Sequence, residues 1–146
     1  LLSAYIDTSA LAKCYVRELR SLDVLDWVEA RDEIVTSPLT LVEFRCLLAR
    51  RRRSGQIDHD LEHSAMSHFE GNILDRTWRI LPEAPRLFEE ARLLIDQVPD
   101  IPLRALDAVH IAFARRFGAT EFASADRKQA QAAQALGMTV FTFHEL

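Results

Sequence analysis

Short apolar runs alternate with longer helical stretches along this chain, and that alternation limits its fold more than any other feature. Residues 3–6, 33–36, 77–81, 122–124 and 139–143 are brief and rich in apolar, β-branched or aromatic side chains, as buried strands are. Helical patterns fill the gaps, at about 9–18, 22–30, 37–53, 58–74, 85–97, 103–117 and 126–137. Ser37-Pro38 supplies an N-cap followed by proline in the first turn, and Gly118 and Gly137 stand where helices should end. Strands separated by helices cannot pair as hairpins. They call for a parallel sheet with helices on both faces, an α/β fold. Two helices instead of one after each of the first two strands make the order irregular.

The 146 residues suffice for one domain, and no linker, repeat or low-complexity stretch divides residues 1–146. Every apolar run is broken by a charge well short of membrane-spanning length. No basic leader precedes the first strand, and Leu1 is expected to follow closely on an initiator, so a cytoplasmic protein is expected. Cys14 and Cys46 lie in predicted helices without metal-binding spacing, and two buried free thiols are expected. The net charge of −4 excludes a uniformly basic coat for nucleic acid. Its distribution is uneven, since only Lys13 and Lys128 are lysines while Arg50, Arg51, Arg52 and Arg53 are consecutive.

Four carboxylates stand in unusual places. Asp7 follows the first strand and Asp126 follows the fourth, each before a helix. Either could simply cap that helix. Yet the carboxyl ends of parallel strands share one edge, and ligands bind there. Glu43 lies at helical spacing from Leu39, Cys46 and Leu47 and is expected on their apolar face. Asp107 sits in LRALDAVHIAFARRF, a helix apolar almost all round, where a carboxylate is costly unless paired with Arg104 or another arginine, or bound to a metal. If the four converge they need a cation, and oxygen-only ligands favour Mg²⁺ or Mn²⁺. His59 and His63 lack a third ligand and are expected at the surface, while His110 is expected to be core packing.

The stretches YIDTSALAK, SPLTLVEFRCLL, LRALDAVHIAFA and FASADRKQAQAA, then GMTVF, carry these acids in order over essentially the whole chain. In this the sequence resembles the PIN-domain ribonucleases, and among them the VapC-type toxins of toxin–antitoxin pairs. The resemblance implies a three-layer α/β/α sandwich around a parallel sheet. It implies an endoribonuclease dependent on Mg²⁺ or Mn²⁺, a cognate VapB-type antitoxin, and a homodimer, with residues 22–30 or the helix after Asp58 as candidate contacts. Carried over, the catalytic and metal-binding acids are Asp7, Glu43, Asp107 and Asp126, with Ser9 and Ser124 in support. Arg50 to Arg53 are either a solvated helix end or a contact for RNA phosphate or an acidic antitoxin tail. An RNA-processing nuclease without an antitoxin and an inactive RNA-binding relative stay open as alternatives. A receiver domain is disfavoured because Asp7 has no acidic neighbour, and a dinucleotide fold because no GxGxxG follows the first strand.

Overall fold

The computed structural model describes residues 3–145. Five parallel strands form one sheet in the order β3-β2-β1-β4-β5. They are β1 (Ala4–Ile6), β2 (Ile34–Thr36), β3 (Arg79–Ile80), β4 (Glu121–Ser124) and β5 (Thr139–Thr142). The helices are α1 (Thr8–Ala12), α2 (Ser21–Glu29), α3 (Pro38–Arg53), α4 (His59–Leu74), α5 (Leu87–Gln97), α6 (Ala105–Arg116) and α7 (Arg127–Ala135). Side chains alternate across each strand, so the two faces of the sheet feed separate cores. Tyr5 and Phe122 join Leu94, Ile111 and Phe113 on the α5–α6 side. Ala4, Ile6 and Ala123 join Leu11, Val24, Phe44 and Phe69 on the α1–α4 side. This is the expected three-layer sandwich. β1 lies at its centre, and the chain leaves it toward β2 on one side and β4 on the other. The switch in strand order therefore falls at the carboxyl ends of β1 and β4.

Several expected boundaries shift, and each shift has a cause. The first helix ends at Ala12 instead of continuing to residue 18. The Lys13 ammonium is buried and curls the following segment around itself, donating to the Leu19 carbonyl at 2.8 Å and Glu18 at 3.2 Å. β3 shrinks to two residues. Ser37 takes the cap position of α3 with Pro38 behind it, but its hydroxyl makes no capping bond. The thiols correct the expectation of two buried cysteines: both are free, but Cys14 is only half-buried and Cys46 is exposed. Burial pushes the Cys14 thiol up to about 12.

α6 justifies its apolar sequence, because Asp107 through Ala114 are all buried. On α3 the fully buried row is Thr40, Phe44 and Leu48. Glu43 is half-buried beside that row, and Leu39 and Leu47 are half-buried with it. Glu43 thus shares a face with Leu39 and Leu47 as expected, while Cys46 turns to solvent. Both edges of the sheet are closed. β3 is too short to offer a ladder, and the Arg20 guanidinium donates to the Thr142 and His144 carbonyls along β5, at 3.3 and 3.2 Å. Among the described residues, no helix is long and apolar enough to cross a membrane.

Phe44 is fully buried, with its ring 4.9 Å from that of Phe69 and 5.4 Å from that of Tyr15. Phe44→Ala should cost about 3–5 kcal/mol in urea unfolding. Phe88 is 77% exposed, and Phe88→Ala should stay within about 0.5 kcal/mol of the parent. Equal costs would mean that the core is not where the structure puts it.

Candidate active site

The turn after β1 and the turn after β4 are tied to each other through Asp7. Its Oδ1 accepts from the Ala10 amide at 2.9 Å, capping α1, and from the Ser9 hydroxyl at 2.7 Å. Its Oδ2 accepts from the Ser124 hydroxyl at 2.5 Å. Ser9 in turn accepts from the Ala125 amide, and Ser124 from the Asp126 amide, both at 2.9 Å. Ser9 and Ser124 thus stitch two turns that lie more than a hundred residues apart in the chain. Asp126 divides its oxygens as well. Oδ1 caps α7 through the Lys128 and Gln129 amides, and Oδ2 accepts from Arg104 at 3.0 Å. Each aspartate thus caps its own helix with Oδ1 and gives Oδ2 to a residue of another segment, Ser124 for Asp7 and Arg104 for Asp126.

Glu43 reaches the same place from α3. Thr8 donates to its Oε1 at 2.7 Å, and His110 Nε2 stands 2.5 Å from the same oxygen. His110 also meets the Tyr5 hydroxyl through Nδ1, at 2.6 Å. Burial drives the Tyr5 phenol well above its usual pKa, so it keeps its proton. Burial alone would raise the Glu43 carboxyl too, but the His110 hydrogen bond and charge, the Thr8 hydroxyl and Arg104 together hold it below its ordinary value. Glu43 is therefore an acceptor at neutral pH, and the Nε2–H of His110 donates to it. His110 is buried, as packing predicts, and it also orients an acid. Asp107 completes the group from the first turn of α6, accepting from Arg104 Nε at 3.2 Å.

All four acids line one cleft of about 460 Å³, together with Thr8, Ser9, His110, Arg104 and Arg50. The Tyr5–His110 pair was not legible, and Arg104 was legible only as a partner for Asp107, which it is. The spacing offered a weak signal, since Arg104 and His110 flank Asp107 at three residues on either side. Of the arginine run, Arg50 lines the cleft, Arg51 pairs with Glu18 and Arg52 with Glu62, both at 2.7 Å, and Arg53 is exposed. Among the described residues, no arginine or lysine contacts Asp7. Burial pushes its carboxyl up, against the His110 charge and the Ser124, Ala10 and Ser9 hydrogen bonds that pull it down. A buried carboxylate with no cation of its own, facing three more across a cleft, suits a hard, oxygen-liganded divalent ion. No three such side chains among the described residues are gathered tightly enough to hold one ion together, and Arg104 clasps two of the four.

Known proteins resemble this chain over most of its length. Residues 4–135 match the family model for the PIN domain. Ribonuclease VapC46 of Mycobacterium tuberculosis is 31% identical over 142 residues, covering 93% of this chain and 94% of that protein. The structure of M. tuberculosis VapC20, described as a sarcin–ricin loop cleaving toxin, matches with a TM-score of 0.69 at 21% identity, over 88% of this chain and 94% of that one. A toxin–antitoxin complex from Klebsiella pneumoniae matches with a TM-score of 0.67 at 16% identity, over 98% of this chain and 99% of that one. At those two identities, the structural likeness carries the fold alone.

The buried charge of Asp7 makes a prediction about pH. Its carboxyl titrates higher folded than unfolded, so the folded chain holds that proton more tightly and the charged form is a liability. Asp7→Asn keeps an oxygen for the Ala10 amide and removes the liability. The variant should therefore gain stability relative to the parent as pH rises from the unfolded value near 3.8 through the raised folded one. Urea unfolding at pH 3 and pH 7 checks this, and a gain confined to low pH would contradict it.

Proposed function

This chain belongs to the PIN-domain family, whose model it matches from residue 4 to residue 135, with a VapC ribonuclease as a relative in sequence; on that premise we propose that it is a divalent-metal-dependent endoribonuclease acting as the toxin of a toxin–antitoxin pair. The observation that carries the proposal is the lining of one cleft at the strand switch by Asp7, Glu43, Asp107 and Asp126. Asp7, Glu43, Asp107 and Asp126 would hold the cation, Mg²⁺ or Mn²⁺, once drawn together around it from the walls of the cleft. When bound, such an ion acidifies a water and offsets charge on the phosphate being cut.

The chain's own residues prepare the rest. Ser9 and Ser124 fix the Asp7 carboxylate so that it cannot rotate away from the cleft. Thr8 and His110 hold Glu43 ionised at its place, where it can accept a proton from a water. The hydroxyl of Thr36, bonded to Thr40 and to the Ile6 carbonyl at 2.7 Å each, braces the ends of β1 and β2 beneath them. Arg50 at the rim is placed to meet an RNA phosphate. Val42, Phe88 and Leu106 are exposed apolar side chains on a second groove of about 530 Å³ adjoining the cleft. That surface supports a cognate antitoxin or a second copy of the chain as protein partner, and a cytoplasmic setting goes with it.

Two experiments test this function. RNA cleavage should require Mg²⁺ or Mn²⁺ and stop with EDTA, and Asp7→Asn or Asp107→Asn should abolish turnover in a folded protein. Full activity in a chelated preparation would refute the mechanism. Replacing Arg50 and Arg53 by glutamine should weaken RNA binding and reduce the slope of log affinity against log salt by roughly 0.7–0.9 for each phosphate no longer neutralised. An unchanged slope would leave the run as a solvated helix end. Normal cleavage with weakened neutralisation by the antitoxin would assign it to the protein partner.

A further inference from the structure

Arg104 sits where a helix has least use for a cation. It is the N-cap of α6, and its guanidinium also reaches the first turn of α7 through Asp126. Both helix N-termini carry partial positive charge, so a cation there opposes the macrodipoles. The fork is nevertheless placed across the cleft, with Nε 3.2 Å from Asp107 Oδ2 and Nη2 3.0 Å from Asp126 Oδ2. The Arg104 amide donates weakly to the same Asp107 oxygen, at 3.4 Å. At Asp126 it takes the oxygen left over from capping α7.

The backbone of Arg104 is fixed at the helix start, but its side chain is 76% exposed. Exposed ion pairs are weak and easily exchanged. A guanidinium does not lose its proton at ordinary pH, so this clasp cannot open by titration of the arginine. Any opening must come from movement of the side chain. We propose that Arg104 is an internal counter-cation that positions Asp107 and Asp126 and competes with a divalent ion for them, so that the ion must displace the guanidinium to be bound. This rests on the assignment of these acids as metal ligands. It adds a residue of the chain itself that sets how much free ion the site needs.

The test measures ion binding directly, without RNA, from the electron paramagnetic resonance of free Mn²⁺ titrated with the protein. Arg104→Gln should tighten the Mn²⁺ dissociation constant about three- to tenfold, the range expected when one or two exposed pairs are removed. Arg104→Lys keeps the charge but cannot fork between two carboxylates, and should fall between parent and glutamine variant. The rise in melting temperature on adding Mn²⁺ should follow the same order. Equal or weaker binding by Arg104→Gln would overturn the proposal. So would a lysine variant identical to the parent, which would mean that charge repulsion acts without a clasp. Asp107→Asn tells the two levels apart. If it leaves Mn²⁺ affinity unchanged, the ion lies elsewhere and the site assignment itself fails. If it weakens binding while Arg104→Gln changes nothing, only the role of Arg104 is refuted.

Discussion

A carboxyl group buried at the end of the central strand sets the terms for everything around it. Asp7 is 1% exposed, and burial makes its ionised form expensive. The structure compensates with hydrogen bonds from Ser9, Ser124 and the Ala10 amide, none of which carries a full charge. Those bonds join the ends of β1 and β4, so the same contacts that keep the carboxylate tolerable also bring the two halves of the fold together. The remaining acids arrive from α3, α6 and α7, which pack against that junction. Their arrangement is a consequence of the topology: only at the switch between β1 and β4 do turns from opposite ends of the chain become neighbours.

The four acids are handled by three different means, and the difference is chemical. Asp7 is held by hydroxyls and an amide. Glu43 is held by a hydroxyl and an imidazole that is itself held by a phenol. Asp107 and Asp126 share a guanidinium. Neutral donors cannot leave a buried carboxylate without cost, whereas an exposed guanidinium can. The carboxylates are therefore held firmly on the sheet side of the cleft and by an exposed, exchangeable pair at its mouth.

The architecture was legible because it depends on patterns with a short period. Strand runs, Ser37-Pro38 and the glycines after helices mark elements locally, and the parallel three-layer arrangement follows from their alternation. The positions of the acids were legible for the same reason, since a strand end or an apolar helix face can be read from a few neighbours. What escaped depends on contacts across the chain. α1 ends early because of where the Lys13 ammonium is buried, which no helical periodicity encodes. His110 looked like packing because its helix is apolar, and its partners Tyr5 and Glu43 lie 105 and 67 residues away. Arg104 was legible as a partner for Asp107, but its second bond, to Asp126, 22 residues on, depends on α7 folding back beside α6. The run from Arg50 to Arg53 looked uniform, yet folding spends Arg51 and Arg52 on Glu18 and Glu62 and leaves only its two ends free among the described residues.

The closed edges of the sheet bear on how this molecule can assemble. Strand addition needs a row of unpaired amides and carbonyls. β3 provides two residues of backbone, and Arg20 already occupies carbonyls beside β5. A second chain cannot lengthen the sheet from either side without first removing those obstacles. The outer helices, with their side chains, are the surface left more open to a partner than either sheet edge. Contacts made by side chains carry their own selectivity, because they depend on shapes and charges that a ladder of amides does not read.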